Sequence, residues 1–295
     1  MPNKNQKNVL VIGASGFVGQ ALLKKLVTTK SDLFLVSRNK KFKYPDATIF
    51  YGDIENKKFS EKILKNIDTV FYLAAYKKNI AVHTNTPFEV LLHNVRPLLN
   101  FLEAAKNSQV KNIVYISSTN AAYALDADEM IDGYVYGKFI TEMIAKAFSQ
   151  ETGISVKIVR SSAVYGPGDN LDPKTANFIP AMIRRVDEAN DELVVWGKGK
   201  RKLQFMYIDD LVANILAAEK SHKDFLIFGN PEVVSVNDVV TKITTIIGKK
   251  LKISHDIAKP DKPTKLSTFQ NIITPKINLD SGLQKTLDYY RKHHA

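Results

Sequence analysis

The stretch Asn8-Val9-Leu10-Val11-Ile12-Gly13-Ala14-Ser15-Gly16-Phe17-Val18-Gly19 decides the fold. Its first half is a run of branched apolar residues, the pattern of a buried strand. The run breaks into Gly13, Gly16 and Gly19, and the apolar-periodic segment Gln20 to Val27 follows as a helix. A strand feeding a glycine-rich turn and a helix N-terminus makes a phosphate cradle. Glycines let the backbone approach the anion, and the unpaired N–H groups and helix dipole favour its charge. The seat runs from Gly13 to Gly19 and includes Ser15, Phe17 and Val18; its spacing is G-x-x-G-x-x-G.

Composition sets limits on what surrounds this cradle. A chain of 295 residues with 44% hydrophobic residues buries one large domain, or one with a smaller lobe. No segment approaches the roughly twenty uninterrupted apolar residues of a membrane span. The first residues, Met1 to Lys7, are polar and lack the apolar stretch of a signal peptide. With no cysteine, neither a disulfide framework nor a thiolate metal site is available. These features lead to the expectation of a cytoplasmic enzyme. The formal charge of +12 raises the question of nucleic acid. However, lysine pairs such as Lys24-Lys25, Lys57-Lys58 and Lys249-Lys250 are scattered and not interleaved with aromatics on one element. A positive field of this kind also draws in a small polyanion such as a nucleotide. His83, His93, His222, His255, His293 and His294 are dispersed and suggest no metal site, so packing or surface exposure accounts for them.

Strand and helix signals alternate from the cradle onward. Leu33-Phe34-Leu35-Val36 reads as a second strand, ending in Ser37-Arg38-Asn39. In a dinucleotide fold an acidic residue at this strand end binds the ribose hydroxyls of NAD, whereas an Arg accommodates the 2′-phosphate of NADP. Arg38 without a carboxylate therefore favours NADP, with NAD as the alternative. Ala47 to Tyr51 is a third strand followed by Gly52-Asp53-Ile54, and Glu61 to Asn66 a helix. Thr69 to Leu73 is a fourth strand, ending in the small residues Ala74-Ala75, which leave room for a ring or ribose against the backbone. Pro87 to Lys106 reads as a long helix and Asn112 to Ile116 as a buried strand. The repeated strand–helix unit argues for a parallel sheet covered on both faces.

Chemistry concentrates after Ile116. Ser117-Ser118-Thr119-Asn120 stands at the carboxyl end of a strand, where open α/β sheets bind ligands. Tyr134 and Lys138 are four residues apart at the opening of the next helix, so both lie on one face. A phenol beside a lysine ammonium is expected to have a lowered pKa, able to exchange a proton with a hydroxyl or carbonyl near neutral pH.

The strand Val156 to Arg160 and the run Val164-Tyr165-Gly166-Pro167 complete a pattern. With Gly13-x-x-Gly16-x-x-Gly19, Gly52-Asp53, Leu73-Ala74-Ala75, Ser117-Ser118-Thr119, Tyr134-x-x-x-Lys138 and Tyr207-Ile208-Asp209-Asp210, the chain resembles the extended short-chain dehydrogenase/reductase family. The likeness is to its NDP-sugar epimerase, dehydratase and reductase branch and covers essentially the whole chain. Gly168-Asp169-Asn170, Phe178-Ile179-Pro180, Val195-Trp196-Gly197 and Phe205-Met206-Tyr207 look most like the GDP-fucose synthases. The resemblance implies a Rossmann-type doubly wound parallel sheet over residues 1–167. It also implies a smaller α/β substrate lobe over 168–295, with some chain returning to the sheet. Tyr134 would be the proton donor or acceptor, Lys138 would hold the nicotinamide ribose, and Thr119 takes the place of the catalytic Ser/Thr. Asp53 and Ile54 would hold the adenine. Leu73, Ala74, Ala75 and Ser117 would line the rest of the cofactor site. The family also implies a homodimer packed through Pro87 to Lys106 and Phe139 to Phe148.

Departures from the pattern narrow the chemistry. Dehydratases of the branch place Asp-Glu after the catalytic Thr, where this chain has Asn120 and Ala121. GDP-fucose synthases place a cysteine at Ala121 and a histidine at Asn177. Elimination and epimerisation beside a carbonyl need an acid or base to handle a carbon-bound proton, and Ala and Asn supply neither. Leu203-Gln204-Phe205 lacks the usual diphosphate-binding Arg, so Lys200, Arg201 or Lys202 is expected to reach the diphosphate. Lys265, at the end of a loop from Pro260, sits near a basic nucleotide-contact position of the family. Asn120 and Asn177 fall beside the expected substrate site. The leading expectation is an NADP(H)-dependent oxidoreductase that reduces a nucleotide-linked 4-keto sugar, GDP-linked first. The alternatives are a 4-epimerase or 4-dehydrogenase that retains NAD, and a non-catalytic NADP-binding interaction protein.

Overall fold

Strand β1 (Lys7–Ile12) feeds helix α1 (Phe17–Leu26), and the same step then repeats along the chain. The computed structural model describes all residues except 1–6, 79, 126–131, 173–174, 260–264 and 295. β2 (Ser31–Ser37) and β3 (Ala47–Tyr51) precede α2 (Lys57–Ile63). β4 (Thr69–Tyr72) precedes α3 (Ile80–Asn85) and α4 (Pro87–Ala105). β5 (Asn112–Ser118) leads through a 3-10 turn at Thr119–Leu125 to α5 (Gly133–Thr152), which is followed by β6 (Ser155–Ser161). Next come β7 (Ala163–Tyr165), α6 (Phe178–Glu188), β8 (Glu192–Trp196), β9 (Lys202–Leu203) and β10 (Phe205–Tyr207). The chain continues through α7 (Ile208–Glu219), β11 (Phe225–Phe228), β12 (Val234–Ser235), α8 (Val236–Ile247), β13 (Lys252–Asp256) and α9 (Leu279–His294).

The central sheet has seven strands in the order β11-β6-β5-β4-β1-β2-β3. β1 through β6 pair in parallel. Their register follows from side chains of period two. Leu10, Val70, Ile113 and Val156 stand level across four strands, and so do Ile12, Tyr72, Tyr115 and Ile158. All eight join one buried cluster with Ile63 of α2, Leu98 and Phe101 of α4 and Ala145 of α5. The intervening Val9, Val11, Val114 and Val159 are also buried, so the other face is covered too. A slip of one residue would exchange the two faces of a strand, and the aromatic contacts Tyr72–Phe101 (5.2 Å) and Tyr72–Tyr115 (5.8 Å) would be lost. The sheet is therefore the doubly wound parallel sheet expected, and its strand order reverses between β1 and β4. Ligands of such sheets bind outside the carboxyl ends at that reversal.

Two compact units divide the chain. One runs to Ser161 and includes Val212–Leu226; the other holds Ser162–Leu211 and the chain from Ile227 on. The second unit contains small two-stranded sheets: β7 with β10, β9 with β12, and β8 with β13. Sequence periodicity does not register β7, β9, β10 and β12, which are two or three residues long. α6 and α8 pack together within this unit. Among the described residues no helix is long and apolar enough to cross a membrane.

Helix ends correct two expected boundaries. α1 begins at Phe17, before Gln20, with Gly16 as its N-cap. α2 spans Lys57–Ile63 because the Asn56 side chain accepts from Phe59 N–H and caps it there. α5 is capped at both ends. The Asp132 carboxylate accepts from the Tyr134 and Val135 N–H groups at one end, and Gly153 (φ 74°) closes the other. At Gly133 a Cβ would stand 2.1 Å from the Pro87 carbonyl oxygen, so only glycine lets the starts of α4 and α5 approach this closely. Gly133→Ala is therefore expected to lower stability by about 3 kcal/mol in urea unfolding, through overpacking. Gly153→Ala, where a Cβ meets nothing within 4 Å and only the left-handed φ is strained, is expected to lose about 1 kcal/mol. Equal losses at the two positions would contradict the packing account.

Candidate active site

The cradle depends on close backbone approach. A Cβ at Gly19 would lie 2.2 Å from the Gly13 carbonyl oxygen and 2.7 Å from that of Ala14. Gly13 itself has φ +88°, and a Cβ there would sit 3.0 Å from Ala74 N. Gly16 N–H donates back to the Gly13 carbonyl at 3.0 Å, and Gln20 N–H to Gly16 at 2.9 Å. No side chain caps the N-terminus of α1, which leaves it suited to an anion. An open cavity of about 390 Å³ begins here. Gly13, Ser15 and Gly16 line it, and so do Leu73, Ala74 and Ala75 at the end of β4. Phe17 and Val18 are half-buried in the first turn of α1, and Gly19 is buried beneath the cradle.

The far wall comes from β2 and β3. Arg38, Asp53 and Ile54 all line the cavity. The Arg38 side chain is 75% exposed, and its guanidinium lies 3.7 Å from the Asp53 carboxylate. The Ser37 hydroxyl donates to Ser15 Oγ at 2.9 Å, tying the end of β2 to the glycine-rich turn. Tyr76, His93 and Asn94, absent from the expected site, close the cavity. The Asn94 side chain accepts from Tyr76 N–H and donates to the Tyr76 carbonyl, so it pins this wall at both atoms. Such a wall with an uncapped helix N-terminus and a glycine-made close approach fits a dinucleotide.

Tyr134 and Lys138 stand on α5 as expected, but their electrostatics differ from the expected pair. Tyr134 is 8% exposed. Burial pushes its phenol up to about 12, against the favourable hydrogen bond with the Ser118 hydroxyl. The expectation of a phenol lowered by Lys138 is therefore overturned. Lys138 is buried, and its ammonium turns to the Ile116 carbonyl at 2.8 Å and over the Tyr115 ring at 4.9 Å. Burial lowers Lys138 to about 7; the Glu142 carboxylate opposes this and the Lys77 charge adds to it.

The hydroxyl cluster is divided between two tasks. Ser118, not Thr119, makes the hydrogen bond with Tyr134. Thr119 is half-buried at the start of the 3-10 turn, next to exposed Asn120. Ser117 is buried, and its hydroxyl donates to Glu142, which also receives Arg160 at 2.6 Å. The sequence does not signal this exchange, because three adjacent hydroxyls look alike until the strand's alternation assigns their directions.

In the second unit, Asn177 donates its side-chain amide to Asp169 at 3.0 Å, and Asp169 is 6% exposed. Lys200 and Lys202 are exposed and Arg201 half-buried on the approach to β9. Lys265 is exposed; the preceding residues 260–264 lie outside the described residues. Among the described residues no group of three or more His, Cys, Asp or Glu could hold a metal ion.

The buried Lys138 makes stability depend on pH. Its pKa is about 7 in the folded chain against 10.5 for a free lysine, so between these the unfolded chain holds a proton that the folded chain lacks. Stability therefore rises with pH through that window, and the burial cost is fully present below about pH 7. Compared at pH 7 and pH 10 by urea unfolding, Lys138→Met should gain on the wild type at pH 7, and the gain should shrink toward pH 10. A difference independent of pH would contradict the assignment.

Comparison with known proteins supplies the context. The chain is 26% identical to a dTDP-4-dehydro-6-deoxy-D-allose reductase of a Streptomyces species, over 97% of both chains. It is 24% identical to a GDP-L-fucose synthase of Escherichia coli, again over 97% of both. Among solved structures it superposes on MoeE5 in complex with UDP-glucose and NAD with a TM-score of 0.82, at 26% identity over 98% of this chain and all of that one. It also shares the fold of the UDP-glucose 4-epimerase of Thermotoga maritima, with a TM-score of 0.83, 24% identity and coverage of 97% and 99%. Residues 9–227 match the model of the NAD dependent epimerase/dehydratase family. With most of its length in that match and the cradle, cavity and Tyr134 in place, the chain belongs to this family of enzymes acting on nucleotide-linked sugars.

Proposed function

We propose that the chain reduces the 4-keto group of a nucleotide-linked sugar with NADPH, a GDP-linked sugar being the first candidate. The observation that carries this reading is the placement of Tyr134, one helical turn from Lys138 with Ser118 at its hydroxyl. A phenol is protonated at neutral pH, so Tyr134 can hand its proton to the carbonyl oxygen of a keto sugar. A bound nicotinamide would supply the hydride. Thr119 would share the carbonyl oxygen with Tyr134, and Lys138 would meet the nicotinamide ribose. The uncapped start of α1 would hold the diphosphate, and Arg38 at the cavity rim the 2′-phosphate.

Where a second acid or base would serve epimerisation, Ala121 is fully buried and the Asn177 amide is bound to Asp169. The nucleotide preference rests on Gly168-Asp169-Asn170 and the Trp196-Gly197 run; the dTDP-sugar and GDP-sugar relatives both support a keto-sugar reductase. A retained-NAD 4-epimerase is the second reading. Asp53 favours it, because its carboxylate lies beside Arg38 at the same rim. A homodimer through α4 and α5 belongs to the proposal as well. Phe88 and Leu99 are 68% and 40% exposed on one face of α4, and Met143 of α5 is 46% exposed.

A panel of GDP-, UDP-, dTDP- and CDP-linked 4-keto sugars followed by NADPH absorbance tests the reaction. One of them should be reduced with stoichiometric loss of NADPH. Tyr134→Phe should lose roughly 100-fold or more in kcat while binding NADP as before. Arg38→Ala should weaken NADPH relative to NADH by roughly 10- to 100-fold, the value of a charge-assisted hydrogen bond. Purified protein that carries NAD and leaves NADPH unconsumed would overturn the proposal in favour of the epimerase. Leu99→Glu should shift the protein to a monomer in light scattering, and an unchanged mass would exclude the α4–α5 dimer.

A further inference from the structure

We propose that His83 is a positioning residue for Tyr134, with its imidazole locked between α5 and the cofactor wall so that it fixes the plane of the phenol. His83 lies on α3, and its side chain is 7% exposed. The Lys78 backbone N–H donates to Nε2 at 3.0 Å, which makes that nitrogen the acceptor and puts the ring proton on Nδ1. Nδ1 faces the Asp132 carboxylate at 3.6 Å. The imidazole then stacks on the Tyr134 ring, with centroids 5.2 Å apart and planes 12° from parallel.

Asp132 makes this a junction. The oxygen facing His83 also accepts from Tyr134 N–H at 2.8 Å and Val135 N–H at 3.1 Å, capping α5. One carboxylate oxygen thus fixes the backbone of Tyr134, while the imidazole it faces fixes the ring. Burial works against the charge on Asp132, yet the facing His83 ring and the two backbone N–H groups together hold its carboxyl below the ordinary value. α3 has only six residues, too few to persist on helical propensity. The ties to Lys78 and Asp132 hold it in place. Lys78 lies two residues beyond Tyr76 of the cavity wall, so His83 couples that wall to Tyr134.

Proton transfer to a carbonyl needs the phenol held within about 0.5 Å and 10–20° of its working position. Ser118 holds the hydroxyl, the helix cap holds the backbone, and His83 governs the remaining freedom, rotation of the ring. The groups that set the Tyr134 titration are Asp132 at the cap of its helix, Ser118 from β5 and the burial of a ring that His83 covers on one face. The assignment rests on Tyr134 being the proton-transfer group. The test therefore needs a readout that works without turnover.

That readout is the titration of Tyr134 by NMR in protein carrying isotope-labelled tyrosine, with Tyr134→Phe identifying the signal. His83→Ala opens one face of the phenol to water. The midpoint should fall from about 12 toward the ordinary phenol value of about 10, with NADPH affinity unchanged. His83→Phe keeps a flat ring on that face and should keep the midpoint high. His83→Gln keeps an acceptor for Lys78 but no ring, and should titrate like the alanine variant. On the substrate the wild type reduces, His83→Ala should lose roughly 10- to 100-fold in kcat with little change in KM. A folded Ala or Gln variant in which Tyr134 titrates as in the wild type would overturn the assignment, and so would an unchanged kcat. A lowered midpoint in a protein that reduces no keto sugar would leave the His83–Tyr134 contact standing and reject the reaction instead.

Discussion

A backbone contact that no side chain could survive organises this molecule. The Gly13 carbonyl oxygen and Gly19 are so close that a Cβ on Gly19 would stand 2.2 Å away. This approach lets α1 begin directly beneath the end of β1, and it turns the uncapped first turn of the helix toward the cavity. Gly13 carries the same constraint across to Ala74 at the end of β4. β1 and β4 are the neighbours at which the strand order reverses. A close contact at the switch point thus fixes where a diphosphate can lie, and the remaining walls are built outward from it.

The second organising fact is charge taken deep into the sheet. Lys138 and Glu142 occupy successive turns of α5, both buried. Glu142 is satisfied by Arg160 and Ser117, so its charge is compensated. Lys138 meets the Ile116 carbonyl, the Tyr115 hydroxyl and the face of that ring, and burial lowers it to about 7. A buried group with perturbed ionisation that sits at a cleft is a candidate for a functional site. Tyr72, Tyr115, Tyr165 and Tyr207 are pushed up by burial as well; what sets Tyr134 apart is its place one helical turn from Lys138 with Ser118 at its hydroxyl.

Much of this was legible in the residues. The run from Asn8 to Ile12 is apolar enough to name a buried strand, and the glycines after it name the turn. Tyr134 and Lys138 share a face because four residues make about one helical turn. Four matters were not legible. His83 looked like one of several scattered histidines, because its partners Lys78 and Asp132 come from separate segments. Ser118 looked equivalent to Ser117 and Thr119, and only the end of β5 decides which hydroxyl faces the phenol. The pKa of Tyr134 was expected in the wrong direction, because spacing gives proximity to a lysine but not where the ammonium points. Its target is the Ile116 carbonyl, a backbone atom on a neighbouring strand. The short strands of the second unit escaped for a different reason: two or three residues carry no period.

In the proposed function the cavity, Arg38 and a protonated Tyr134 serve net reduction, in contrast with the epimerisation named for several structural relatives. The fate of the hydride separates the two most directly. NADPH carrying deuterium at the transferable position should be mixed with the keto-sugar nucleotide, and both products followed by mass spectrometry. Net reduction predicts deuterium on the sugar carbon that was the carbonyl, with one NADP released for each sugar reduced. A keto sugar left unreduced and without deuterium, with NADPH left intact, would contradict net reduction.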